Sequence, residues 1–228
     1  MMNKRSIFVV ALAVCLAALI ATGSLAYFTA TKSVTNSFMV ASYDPTKPDV
    51  PVTPDELFSI IVYETNNDPD GDPTTEKGNT YNNITPADVL SKDPTVKNTG
   101  AYSAYARMNV TITNAAKWTA VAEKNSIDIE SIFNGISADW TRYDDPVVDE
   151  VNDTITYTYY YQNEIKAGDT ATLFTSVTIP ASFDNEDMAN ISNFNIIVGA
   201  DAIQSANTGD PTGAVADAYY AFTNFWDA

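Results

Sequence analysis

The chain contains no histidine, and its only cysteine is Cys15. Without histidine neither an H-E-x-x-H zinc site nor a Ser-His-Asp triad can be built. A zinc site would have to rest on carboxylates alone, which zinc sites rarely do. Basic residues are scarce as well: 12 Lys and Arg stand against 29 Asp and Glu, giving a formal net charge of −17. Such a surface repels phosphate backbones and anionic head groups, so nucleic acid is excluded as a partner. A carboxylate pair alone suffices for glycoside hydrolysis, but nothing in the sequence singles one pair out. The expectation is a protein with no catalytic residues, no enzymatic function and no firmly held cofactor.

What is present first is an export signal. Lys4 and Arg5 precede an uncharged apolar run over residues 7–20. That run is shorter than the roughly 20 residues a membrane-spanning helix requires, and it fits the core of a signal peptide. Ser24 and Ala26 supply the small residues at −3 and −1 for a signal peptidase, with Tyr27 as the new first residue. An uncleaved N-terminal anchor is the rival reading, and it would be the chain's one contact with a membrane. Cys15 lies inside the apolar run, so cleavage leaves a chain with no thiol and no disulfide, despite an oxidising destination. The localisation expected is extracellular or at the cell surface.

After residue 26 the pattern is that of strands, with a period of two. Over residues 101–113, Tyr102, Ala104, Ala106, Met108, Val110 and Ile112 fall on one face, opposite a polar set. Such alternation predicts one buried and one wet face, as in an antiparallel sheet. Residues 154–161, 170–179 and 194–202 repeat the pattern, and 57–63, 95–98 and 140–143 are shorter candidates. Turn residues cluster at 98–100, 166–169 and 184–187. Short helices are predicted over 127–133 and 213–226, the second with Val215, Tyr219, Phe222 and Trp226 on one face. Together these predict an all-β fold: a two-sheet antiparallel sandwich of jelly-roll or Greek-key type with one or two short helices, preceded by a signal-peptide helix. The organisation expected is a signal peptide (1–26), an N-terminal strand (27–43), a proline-rich linker (44–54) and the sandwich (55–228).

In the N-terminal strand Phe28, Ala30, Val34, Phe38 and Val40 alternate with mostly polar residues. It reads either as an ordinary first strand or as a donor strand that adds to a neighbour's sheet edge by main-chain hydrogen bonding. This stretch, with Gly23, Ala26, Phe28 and Phe38, resembles the exported TasA/camelysin-type family of Gram-positive bacteria. Two further blocks carry the resemblance. Residues 92–100 followed by Ala104, Tyr105, Ala106 and Arg107 are similar to one strand pair of that group. Residues 166–169, Leu173, Phe174 and Ala200 to Gln204 are similar to its C-terminal part. The family's closing glycine is replaced here by Ser42 or lost. The resemblance implies a jelly-roll domain, processing by a signal peptidase of the SipW type, and self-association into cell-surface or biofilm-matrix fibres by donor-strand exchange.

Two other features bear on function. Asn66, Asp68, Asp70 and Asp72 lie in a segment that aligns with a calcium loop, with Gly71 at its sixth position. Lys77 replaces the bidentate Glu at the twelfth, so the segment reads as an acidic surface turn or a weak calcium site. Aromatic residues cluster at 157–161 and 219–226, where core packing is the ordinary reading and a glycan-stacking platform the alternative. A monomeric extracellular module that binds glycan or calcium is therefore the competing hypothesis. Exported protein is expected to begin at Tyr27; mass spectrometry that found Met1 still attached would contradict processing.

Overall fold

In the computed structural model, residues 29–33, 58–65 and 81–227 are described, the first five by their backbone only. The expected signal segment, the expected proline-rich linker and the acidic segment with Asn66, Asp68, Asp70 and Asp72 lie outside them. Among the described residues no helix is long and apolar enough to cross a membrane.

The fold is all-β, with antiparallel pairing throughout the described sheets and a few short helices. Its centre is β5 (Ala104–Thr113), the strand whose alternation was clearest. Ala106, Met108, Val110 and Ile112 are fully buried on one face, and Ala104 is nearly so. β5 pairs on one side with β12 (Ile196–Gln204) along that strand's whole length and on the other with β9 (Thr154–Tyr161). Beyond β9 lie β7 (Trp140–Thr141) and β8 (Val147–Asp149); beyond β12 lies β1 (Thr29–Ser33). Two smaller sheets complete the set. One orders β10 (Thr170–Thr172), β4 (Pro94–Asn98) and β2 (Ile60–Glu64). The other orders β3 (Val89–Ser91), β11 (Ser176–Thr178) and β6 (Phe133–Asn134).

One apolar core joins the three sheets. Met108, Val110, Ile155, Tyr157 and Ala200 of the large sheet share it with Ile60, Val96 and Val177 of the small ones. The expected strand over 170–179 is broken in two between β10 and β11, where Leu173 and Phe174 are both fully buried. Two consecutive buried side chains break the period of two, so the ladder is interrupted there. Asn98, also fully buried, holds the turn at 98–100. Its Nδ2 donates to the carbonyls of Tyr102 and Ile165, both at 2.8 Å, and its Oδ1 accepts from Gly100 N. Burying an amide costs little when its hydrogen bonds are made.

The helices differ most from expectation. An unpredicted helix, α1 (Ala115–Asn125), buries Ala115, Trp118, Val121 and Ala122. No side chain of its own caps it: Asp153 supplies that role from a distant turn, accepting from Ala115 N and Ala116 N. The expected turn at 184–187 instead opens α2 (Asn185–Asn190), through a reciprocal capping box between Asp184 and Asp187. Residues 127–133 contain only a 3₁₀ turn, Ile129–Ile132. The helix expected over 213–226 is shorter and changes pitch, as α3 (Asp217–Ala221) followed by a π-helical turn, Phe222–Trp226. Its buried residues are Ala218, Ala221 and Phe222, with Tyr219 and Trp226 only partly covered.

Trp118 joins α1 to the rest, with its ring edge-on to Phe194 at 5.0 Å and tilted against Phe183 at 5.9 Å. Its indole N–H has no hydrogen-bond partner among the described residues. Trp118→Ala is expected to cost about 3–5 kcal/mol in urea unfolding. Trp118→Phe should cost much less, because it keeps a ring and removes an unsatisfied donor.

Candidate functional site

β12 links β1 to the centre of the large sheet. β12 is filled on its β5 side by nine residues, Ile196 to Gln204. On its other side, among the described residues, Gly199 to Ile203 pair with β1. The register sets Ala30 opposite Ala202 and Lys32 opposite Ala200, while Thr29, Thr31 and Ser33 fall opposite Ile203, Asp201 and Gly199. Ala200 and Ala202 are buried, and Ala30 and Lys32 hold the register positions opposite them. Of the expected donor residues Ala30 alone is described; Phe28, Val34, Phe38 and Val40 lie outside the described residues, as do Ser24, Ala26 and Tyr27. Residues 29–33 share one sheet with β12, an arrangement that both readings of the N-terminal strand allow.

The outer face of this sheet is not uniformly wet. Tyr105, Tyr160 and Ile203 form a second small core with Ala218, Ala221 and Phe222 of the C-terminal segment. Arg107 fixes that segment in place. Its Nε donates to Asp201 Oδ2 at 2.9 Å, while Nη1 and Nη2 donate to the two oxygens of Asp227 at 2.6 and 3.2 Å. The guanidinium also lies over Phe222, 4.6 Å from the ring centre, and 5.7 Å from that of Trp226. Burial works against its charge, but the hydrogen bonds from Asp227 and Asp201 outweigh it and hold Arg107 above its ordinary range. Asn109 donates to the same Asp201 oxygen at 3.2 Å. The edge strand β12 is thus braced from its outer face by a polar network that ends at the C-terminus.

The aromatic clusters are mostly core. Tyr157, Tyr159 and Tyr160 are buried, and burial first, then Glu130, pushes the Tyr159 hydroxyl well above its usual range. That hydroxyl donates to Glu130 Oε1 at 2.6 Å, and Glu130 is also gripped by Arg142. The more exposed stack is Tyr143 on Tyr219, with ring centres 4.4 Å apart. Among the described residues no group of three or more Asp, Glu, His or Cys is arranged to hold a metal ion.

Family models, curated proteins and solved structures offer no match to this chain.

The C-terminal segment is entered through a loop built on Asp210. Its carboxylate accepts from Thr212 Oγ1 and N, and from the backbone N–H groups of Ala214 and Val215. The Thr212 bonds first, then the other backbone donors, lower its pKa to about 2 from the ordinary 3.8. A depressed carboxylate stabilises the loop fully above pH 3.8, and that contribution is lost as pH falls through about 2. Amide resonances of Thr212, Ala214 and Val215 are expected to titrate together with a midpoint near 2 by NMR, and to stop titrating in Asp210→Asn.

Proposed function

We propose that this protein is a secreted, non-enzymatic structural protein, a subunit or accessory of cell-surface or biofilm-matrix fibres. In this reading the all-β body is a two-sheet antiparallel sandwich of jelly-roll or Greek-key type. Copies join when the N-terminal strand of one occupies the β12 edge of the next. The observation that carries the reading is the place of β1. Among the described residues it is the outermost strand of the large sheet and pairs with β12 alone, and residues 34–57 separate it from the next described segment.

A strand held in that way is exchangeable. The same strand on the same edge of another copy makes the same five cross-strand pairings, so exchange leaves the contacts unchanged. Main-chain hydrogen bonds supply affinity, and alternate side chains supply the register. The acidic surface opposes non-specific association, which leaves edge pairing as the specific contact. The body offers the braced β12 edge that a repeated contact requires, since Arg107 and Asp201 fix its outer face. The family resemblance of the N-terminal stretch points the same way, and with it processing by a SipW-type signal peptidase.

One observation favours the alternative of a monomeric binding module. Tyr143 is 39% exposed and stacked on Tyr219, a geometry that suits a sugar ring. That reading predicts saturable glycan or calcium binding and no filaments at any concentration. Electron microscopy of the exported protein decides between them: filaments are expected, and deleting residues 27–41 should leave a folded monomer that forms none. Equal polymerisation of the truncated chain would remove the exchange mechanism.

A further inference from the structure

With Cys15 as its one cysteine, the chain can tie no two of its own segments by a disulfide. Two tyrosines supply the chemistry for a different covalent tie. Tyr143 lies in the connection from β7 to β8, and Tyr219 lies in the middle of α3. Their rings are nearly parallel, inclined by 22°, with centres 4.4 Å apart. That is a stacked contact at the close end of what aromatic pairs adopt. Tyr160, buried beneath them, meets Tyr219 edge-on at 5.1 Å and Tyr143 steeply at 6.0 Å. It props both rings and stacks on neither.

The hydroxyls are held as well. Tyr219 Oη donates to Asp144 Oδ1 at 3.2 Å, and Tyr143 Oη accepts from Ala216 N at 3.1 Å. The pair is open to small reagents, since Tyr143 is 39% exposed. Tyr157, Tyr159 and Tyr160 are instead sealed in the two cores. Oxidising a phenol removes an electron and a proton, so a carboxylate within hydrogen-bond reach is placed to take the proton. Asp144 stands in that place for Tyr219.

We propose that Tyr143 and Tyr219 form a cross-linking site, at which a one-electron oxidant joins the two rings as dityrosine. The oxidant is of the class of a haem peroxidase fed by hydrogen peroxide. Each phenol gives one electron to the oxidant and loses its hydroxyl proton, Tyr219 to Asp144 and Tyr143 to solvent. The two unpaired electrons, shared onto the ring carbons beside the oxygens, pair to form one carbon–carbon bond. The hydrogens on those two carbons then move to the oxygens and restore both phenols. In sum, two phenols and one hydrogen peroxide give one dityrosine and two waters. The bond ties α3 to the connection between β7 and β8 and closes a long loop of chain. Closing a long loop restricts the unfolded chain and so stabilises the fold. It forms within one molecule and does not rest on fibre assembly.

The test oxidises the purified protein with tris(bipyridine)ruthenium(III), generated by light in the presence of persulfate. Lys166 is the last basic residue, so trypsin releases residues 143–166 and 167–228 as separate peptides. The expected product is a monomer, fluorescent as dityrosine is, in which these peptides are joined with the loss of two hydrogen atoms. Both peptides hold other tyrosines, so variants assign the bond. Tyr143→Phe and Tyr219→Phe should each abolish it. Two controls should leave it unchanged: Tyr220→Phe, whose ring contacts Phe225, and Tyr102→Phe, which is more exposed at 44%. All four keep the ring, and circular dichroism matching the parent before oxidation shows that they fold. The oxidised protein should also melt higher than Tyr143→Phe oxidised in the same way. Failure of the peptides to join, a bond that survives Tyr143→Phe or Tyr219→Phe, bonds formed only between chains, or equal melting would each overturn the proposal.

Discussion

Everything else in the molecule is arranged around the two faces of β5. On one face Met108, Val110 and Ile112 are sealed in the main core; on the other Tyr105 and Arg107 receive the C-terminal segment. A strand paired on both sides has no edge to lose, and its alternation commits every neighbour to one register. β12 and β9 inherit their facing from it, residue by residue, and β1 inherits its own from β12. A slip of one residue in β5 would turn Arg107 into the core and Met108 into solvent. That cost makes the central three strands the part of the fold least free to vary.

The outer network turns this register into a tertiary constraint. Arg107 is one partly buried cation satisfied by two carboxylates from different elements, Asp201 on β12 and Asp227 near the C-terminus. An ion pair of this kind is weak grounds for stability, since desolvation offsets much of its Coulombic gain. Its effect is on geometry: guanidinium, carboxylates and the rings of Phe222 and Trp226 fit in one arrangement. The C-terminal segment is thereby tied to β5, and through the shared guanidinium to Asp201 of β12. With Cys15 its only cysteine, the chain can form no intramolecular disulfide, and such contacts supply its long-range ties.

How much of this was legible follows from where each signal sits. β5 and β9 are read directly, because every second residue is apolar and their partners share the period. The break between β10 and β11 is visible in Leu173 and Phe174, two adjacent apolar residues inside an alternating run. α1 was not legible: its cap is Asp153, far along the chain, and two of its four buried positions are alanines that carry little periodic signal. α2 hid behind turn-like composition, since the Asp184 and Asp187 that form its capping box are also turn residues. The covering of Tyr105 and Arg107 could not be inferred from strand alternation, which says that faces differ but not what lies over them. The aromatic runs were legible as core.

The placing of the C-terminal segment makes it part of the packing of the large sheet. Ala218, Ala221 and Phe222 cover Tyr105, Tyr160 and Ile203, so removing that segment would bare an apolar patch on strands that are otherwise paired on both sides.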